Sequence, residues 1–224
     1  MITTFLQAGA GNLASMLAAN LAVLRARSGK RVQVLDTRDG HPAAAWSTRR
    51  AMARLWPRVA VQAGQEGGLA RMVEMLGARG GDMLIDAGRR DMTSSLIMAQ
   101  TAVVLAELDD NLGAAAPALI EQARLFNPGL RVLVLGVARA PCADDASVRG
   151  LAALIRAARP LGTLRLNGAL NEAFAAGAAA CDRQPPTHPA CAALSWLCEE
   201  VYEDRGEARQ AVGIRGAAAL RGIW

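Results

Sequence analysis

The first forty residues constrain the fold most: an apolar strand pattern runs into a glycine turn and straight on into a helical pattern. Ile2 to Gln7 (ITTFLQ) is short and rich in β-branched residues, and Ala8-Gly9-Ala10-Gly11 follows at once. Glycine takes backbone angles that other residues avoid, so the chain turns there. From Asn12 the apolar residues Leu13, Met16, Leu17, Leu21 and Leu24 recur at helical spacing. Ser28-Gly29 closes the run, and Arg31 to Asp36 (RVQVLD) returns as a buried strand. The unit is strand, glycine turn, helix, strand. It puts backbone N–H groups and the positive end of a helix dipole at the loop, an arrangement that cradles anions.

Two templates fit such a loop. Against a phosphate-binding loop, GxxxxGK[ST] or its variant KGGxGK[ST]T, the residues align as Gln7, Ala8, Gly9, Ala10, Gly11, Asn12, Leu13, Ala14. The glycines are kept, but no lysine stands at Asn12 and no magnesium-binding hydroxyl at Leu13. Against the dinucleotide template GxGxxG/A, Gly9, Gly11 and Ala14 match. Asp36 then closes the second strand near where a ribose-binding acid belongs. The structural alternative to both is a tight turn whose glycines serve only the packing of helix on sheet.

The rest of the chain alternates. Helical patterns are expected at His41–Trp56, Leu69–Ala78, Leu112–Phe126, Leu151–Ala158, Asn171–Ala180 and Pro189–Tyr202. Strands are expected at Val59–Gln62, Asp82–Asp86, Thr101–Leu105, Arg131–Val137 and Thr163–Leu166. Such alternation predicts a doubly wound, mostly parallel sheet with helices on both faces. In that architecture Asp86, ending GGDMLID, lies at a strand C-terminus and faces the ligand crevice.

A chain of 224 residues suits one full-sized α/β domain. The division expected is 1–203 as that domain and 204–224 as an arginine-rich tail. No apolar run is long enough to cross a bilayer and the N-terminus lacks a signal-peptide pattern, so a cytoplasmic location is expected. Cys142, Cys181, Cys191 and Cys198 are then reduced thiols. Cys181, His188, Cys191 and Cys198 lack a CxxC pair, and no metal site is expected.

The net charge is +5, and Lys30 is the only lysine. Arginine therefore carries the positive charge, and its rigid fork suits phosphate. Arg49, Arg50, Arg54 and Arg58 crowd one segment, and Arg205, Arg209, Arg215 and Arg221 punctuate the tail; both clusters are candidate DNA-backbone contacts. The bland alternative is a set of solvated helix faces. Aromatic residues are only 4%, which argues against a stacking platform for single strands.

The order of these motifs resembles the ParA/MinD family of deviant Walker A ATPases, which partition plasmids and chromosomes or position cellular machinery. The resemblance is carried by the glycine loop, AANLAVLRARSGKRVQVLDT, DMLIDAG, ARLFNPGLRVLVLGVARAP and LRLNGALNEAFAAGAAACD, spanning roughly residues 1–203. It implies a nucleotide-loop remnant at Gln7, Gly9, Gly11, Asn12 and Leu13, with the acids Asp36 and Asp86 retained. The family's signature lysine falls on Gln7, its second lysine on Asn12 and its magnesium-binding hydroxyl on Leu13. The second acid of its DxDPQ stretch falls on Arg38, and its base-reading Asn on Ala138. Phosphoryl transfer depends on positioning and on cationic stabilisation of phosphate oxygens, so these losses predict no ATP hydrolysis.

The resemblance thus implies a pseudo-ATPase that acts as a partition or positioning accessory through a protein partner, such as an intact ParA-like ATPase or a partition protein, and through non-specific DNA. No cofactor is expected, although weak ATP or ADP binding by backbone amides at Gly9 to Leu13 stays open. So do an NAD-type dinucleotide-binding enzyme using Gly9, Gly11 and Asp36, and an accessory of polysaccharide or envelope secretion. With no lysine or bound metal nearby, Asp36 and Asp86 are expected to be solvated strand-end carboxylates, paired with Arg38 or Arg89.

Overall fold

The computed structural model describes residues 1–7, 11–64, 68–77, 80–107, 115–138, 158–165 and 168–202. The first part of the chain forms β1 (Ile2–Gln7), α1 (Leu13–Arg27), β2 (Val32–Asp36), α2 (Pro42–Met52), β3 (Ala60–Ala63), α3 (Leu69–Gly77) and β4 (Asp82–Asp86). It continues with α4 (Met92–Met98), β5 (Thr101–Glu107), α5 (Ala115–Phe126), β6 (Arg131–Ala138) and β7 (Arg159–Arg165). It closes with α6 (Gly168–Ala175), α7 (Ala180–Arg183) and α8 (Pro189–Tyr202).

The strands make one seven-stranded sheet in the order β3-β2-β4-β1-β5-β6-β7, and every neighbouring pair is parallel. A parallel sheet is covered on both faces, which is why its central strands read as unbroken apolar runs. Two separate cores result. One gathers α1, Trp46 of α2, Phe174 of α6 and Leu194 and Leu197 of α8 against Phe5, Leu84 and Leu133. The other packs Val73 and Leu76 of α3, Leu96 of α4 and Ile120 of α5 against Leu6, Leu35, Ile85 and Val104. Alternate residues of one strand feed the two cores, as Phe5 and Leu6 do.

Helix α1 is enclosed along its first three turns, where every residue from Leu13 to Val23 is buried, and only its last turn reaches the surface. Both ends of its buried amide are engaged. Asn20 Nδ2 donates to Met16 O at 2.8 Å, and Asn20 Oδ1 accepts from Ala180 N at 2.8 Å. Among the described residues, no helix is long and apolar enough to cross a membrane.

Four local expectations shift. Helix α2 stops at Met52 rather than at Trp56, because Arg54 turns left-handed (φ 54°) and Pro57 bars helical backbone at the residue before it. Strand β7 starts four residues before the predicted Thr163; Pro160 escaped the strand pattern, yet an edge strand tolerates it because its missing N–H breaks no ladder bond. The segment Asn171–Ala180 is two helices, not one, since Gly177 takes φ 74° between them. Helix α4 has no counterpart in the sequence reading: seven residues are too few for a period to emerge. The helix expected at Leu151–Ala158 falls on residues 151–157, outside the described set.

The arginine cluster after β2 is divided by the fold. Arg50 is 1% exposed: its guanidinium pairs with Asp182 Oδ2 at 2.5 Å, its Nε donates to Pro57 O at 2.8 Å, and it lies over the Trp46 ring. Arg49 is half-buried and reaches Phe174 O. The expectation that Arg50 contacts DNA is therefore corrected: a guanidinium sealed against Asp182 has no access to phosphate. Asp182 also accepts from Arg27 at 2.6 Å and from Ala179 N at 2.7 Å, tying α1, α2 and α7 together. Removing one member of a buried pair strands the other charge, so Arg50→Leu is expected to lower stability by about 3 kcal/mol. Urea denaturation checks this: the midpoint should fall with an unchanged slope.

Candidate functional site

The crevice at the C-terminal ends of β1, β2 and β4 collects the described loop residues and both acids singled out in the sequence. Gln7 ends β1, Asp36 ends β2 and Asp86 ends β4, and Gly11, Asn12 and Leu13 lead into α1. Gly9 lies outside the described residues, as do Arg205, Arg209, Arg215 and Arg221.

At the head of α1 the loop is held by side chains. Gln7 Oε1 accepts from Ala14 N at 3.1 Å, taking one of the first-turn amides that a helix leaves without an internal partner. Gln7 Nε2 donates to Glu107 Oε1 at 2.9 Å, which links the ends of β1 and β5. Gly11, at φ 116°, offers its carbonyl to Arg38 Nη2 at 2.9 Å. Asn12 caps the helix without a side-chain hydrogen bond and is exposed. Leu13 turns inward and is 4% exposed, as part of the α1 core.

The two acids stand side by side in register, Asp36 opposite Asp86, and neither has any solvent exposure. This corrects the expectation of solvated strand-end carboxylates. Asp36 serves the backbone: Oδ2 accepts from Ala43 N at 2.7 Å and Ala44 N at 3.0 Å, and Oδ1 from Arg38 N at 3.2 Å. It thereby caps α2, whose own N-cap residue His41 sits left-handed at φ 46° and makes no side-chain cap. Burial raises the Asp36 carboxyl above its ordinary range, against the pull of these three amides.

Asp86 is different. Both its carboxylate oxygens are buried without a hydrogen bond, and so is the neighbouring Ser15 Oγ. Neither Arg38 nor Arg89 forms an ion pair with it among the described residues. Burial pushes Asp86 up to about 7; the Ser15 hydroxyl opposes the rise, Asp36 adds to it and Arg38 opposes it. Beside it the β2–α2 and β4–α4 connections are clasped: Thr37 N donates to Asp86 O at 3.0 Å and Gly88 N to Thr37 Oγ1 at 2.9 Å. Only glycine fits at position 88, since a Cβ there would stand 2.1 Å from Thr37 O.

Ser15, Thr37, Gly88 and Glu107 were not singled out in the sequence. Ser15 alone carried a signal, as a hydroxyl among the apolar residues of α1. Glu107 carried none, lying one hundred residues from Gln7. The arginines Arg54 and Arg58 are exposed at the other end of the sheet, before β3, and do not join this site.

By sequence the chain matches no family model and no curated protein. By structure it is similar to ParA/MinD-type proteins. Apo McdA of Cyanothece superposes with a TM-score of 0.70 at 11% identity, covering 90% of this chain and 99% of that one. MinD in the MinC:MinD cell division complex of Aquifex aeolicus gives 0.69 at 14%, covering 89% and 94%. A putative plasmid partition protein of Borrelia burgdorferi bound to AMPPNP gives 0.69 at 11%, covering 88% and 96%. At these identities the likeness is one of fold.

A carboxyl whose native pKa is raised from 3.8 to about 7 contributes most to stability below its unfolded pKa, and that contribution is lost as pH rises through about 7. Asp86→Asn, which cannot ionise, is therefore expected to be more stable than the wild type at pH 8 by roughly 2–4 kcal/mol, with the gap closing towards pH 4. Urea denaturation at the two pH values checks it; equal gaps would mean that Asp86 is ionised in the fold at little cost.

Proposed function

We propose that this protein is a ParA-like pseudo-ATPase, a non-hydrolysing accessory that works through protein partners in partition or an allied positioning task. The observation that carries the reading is the occupied head of α1. Gln7, aligned with the family's signature lysine, spends its side-chain oxygen on Ala14 N, an amide of the turn where a phosphate-binding loop presents free donors.

The fold implies a nucleoside triphosphate with magnesium, and the residues present do not fit that group. No lysine is available, because Lys30 lies beyond the far end of α1. The hydroxyl position is filled by Leu13, whose burial in the core leaves no metal ligand there. Arg38 is spent partly on the Gly11 carbonyl. The NAD reading weakens for a similar reason: Asp36 accepts three backbone N–H groups, so its oxygens are committed to α2 rather than to a ribose. Partnership with protein is favoured over DNA because Arg49 and Arg50 are used inside the fold. The structurally similar Aquifex aeolicus MinD is itself seen with a protein partner, MinC.

The purified full chain is expected to show no magnesium-dependent ATP turnover above background. It is also expected to sediment identically with and without ATP, since Gln7 cannot neutralise phosphate charge across a nucleotide-sandwich dimer. Turnover that co-purifies with the protein, or an ATP-dependent shift in sedimentation, would overturn the reading. Calorimetry with ATP, ADP and NAD addresses the two alternatives, and little or no heat is expected from each.

A further inference from the structure

The sheet has two edges, and they differ. Strand β7 carries Pro160, a register shift opposite Val134/Leu135 and Gly162 at φ 122°, features that blunt an edge against pairing. Strand β3 has none of them. It is Ala60-Val61-Gln62-Ala63, uncharged and in unbroken register with β2, and Ala60, Gln62 and Ala63 are exposed.

The direction of its backbone groups follows from one hydrogen bond. Gly64 N donates to Asp36 O at 2.7 Å, while Asp36 is the register partner of Ala63. In a parallel ladder the residue so bracketed points its own N–H and C=O away from the partner strand. By the two-residue alternation, Ala63 and Val61 both turn their peptide groups to the open edge.

The surface leading into this edge is apolar and positive. Met52 is 79% exposed and Trp56 78%, large apolar side chains left in water where α2 gives way to β3. Arg54 and Arg58 flank them, both exposed, and neither side chain makes an ion pair or hydrogen bond among the described residues. From Gly40 to Gly64 the sequence holds no Asp or Glu at all. Among the described residues neither Arg54 nor Arg58 has an acidic partner.

We propose that the β3 edge is a docking site for an extended acidic segment of a partner protein, which adds to the sheet as a further parallel or antiparallel strand. Its main chain pairs with Val61 and Ala63, its apolar side chains cover Trp56 and Met52, and its carboxylates meet Arg54 and Arg58. Charge complementarity selects this occupant, because a second copy of β3 brings neither a carboxylate nor any other acid to these arginines. Nucleic acid is disfavoured, since it has no use for a row of peptide donors and acceptors and two arginines supply few phosphate contacts. The apolar and arginine shoulder precedes the N-terminal end of β3, and the surface uses none of the α1 loop residues, so the proposal stands apart from the nucleotide reading.

The test uses the full chain and a fluorescein-labelled peptide of about six residues alternating valine with glutamate, the length of an ordinary strand. Anisotropy should show saturable binding that the same peptide with lysine for glutamate lacks. Ala63→Pro removes an outward N–H without touching the β2 ladder, so the variant should keep its melting temperature and lose at least roughly tenfold in affinity. Arg54→Glu with Arg58→Glu should weaken the glutamate peptide and admit the lysine peptide. Hydrogen exchange on the wild type gives an independent readout: the Val61 and Ala63 amides should slow when the peptide is added. Equal binding of both peptides, no binding at all, or unchanged exchange at those amides would overturn the proposal. So would binding of a labelled DNA duplex that survives Ala63→Pro and is lost in the double arginine variant, which would mark a phosphate surface instead.

Discussion

The burial of α1 on every side is the constraint on which the rest depends. A helix with no water-facing stripe from Leu13 to Val23 must be enclosed by the sheet on one side and by α2, α7 and α8 on the other. Its small residues, Ala14, Ala18, Ala19 and Ala22, let those layers approach closely. Enclosure also dictates what its polar groups do. Asn20 is satisfied by α7, and Ser15 is left facing Asp86 without a hydrogen bond. Because Leu13 is the first residue of this buried helix, its side chain belongs to the core before it belongs to any loop.

The paired carboxylates show how one environment gives two outcomes. Both are fully buried strand ends in register with each other. Asp36 is compensated by amides of the α2 terminus and so organises the β2–α2 corner, including the strained His41. Asp86 has no backbone amides to compensate it, and its raised pKa is the expected response of an acid that burial penalises more than the Ser15 hydroxyl and Arg38 offset. A buried acid without partners is a poor choice for stability alone. In an open parallel α/β sheet the C-terminal strand ends face the ligand crevice, and here Asp86 shares that end of the sheet with Gln7 and Leu13.

Arginine is put to different uses here. Arg50 with Asp182 is a buried clamp between α2 and α7, Arg38 is a strut across the loop to Gly11, and the side chains of Arg54 and Arg58 have no partner among the described residues, on an apolar shoulder beside the β3 edge. The division follows from position rather than residue type. Arg50 falls on the inward face of α2 next to Trp46, whereas Arg54 comes after the helix has ended.

The sequence by itself determined the alternation of strands and helices, the glycine turn after β1 and the parallel sheet, because fully buried strands must be apolar runs and crossover helices must follow them. It also placed Gln7, Asp36 and Asp86 at strand ends. Only the tertiary structure decided what those residues touch. Gln7 meets Glu107 across one hundred residues and Arg50 meets Asp182 across 132, separations at which no local spacing carries a signal. The solvation of Asp36 and Asp86 was equally beyond reach, since whether a strand-end acid faces water depends on how loops from β1, β2 and β4 close over it. The identity of the edge strand belongs to the same category: Val59–Gln62 reads as a strand in sequence, but only the order β3-β2-β4-β1-β5-β6-β7 leaves β3 without an outer neighbour among the described residues.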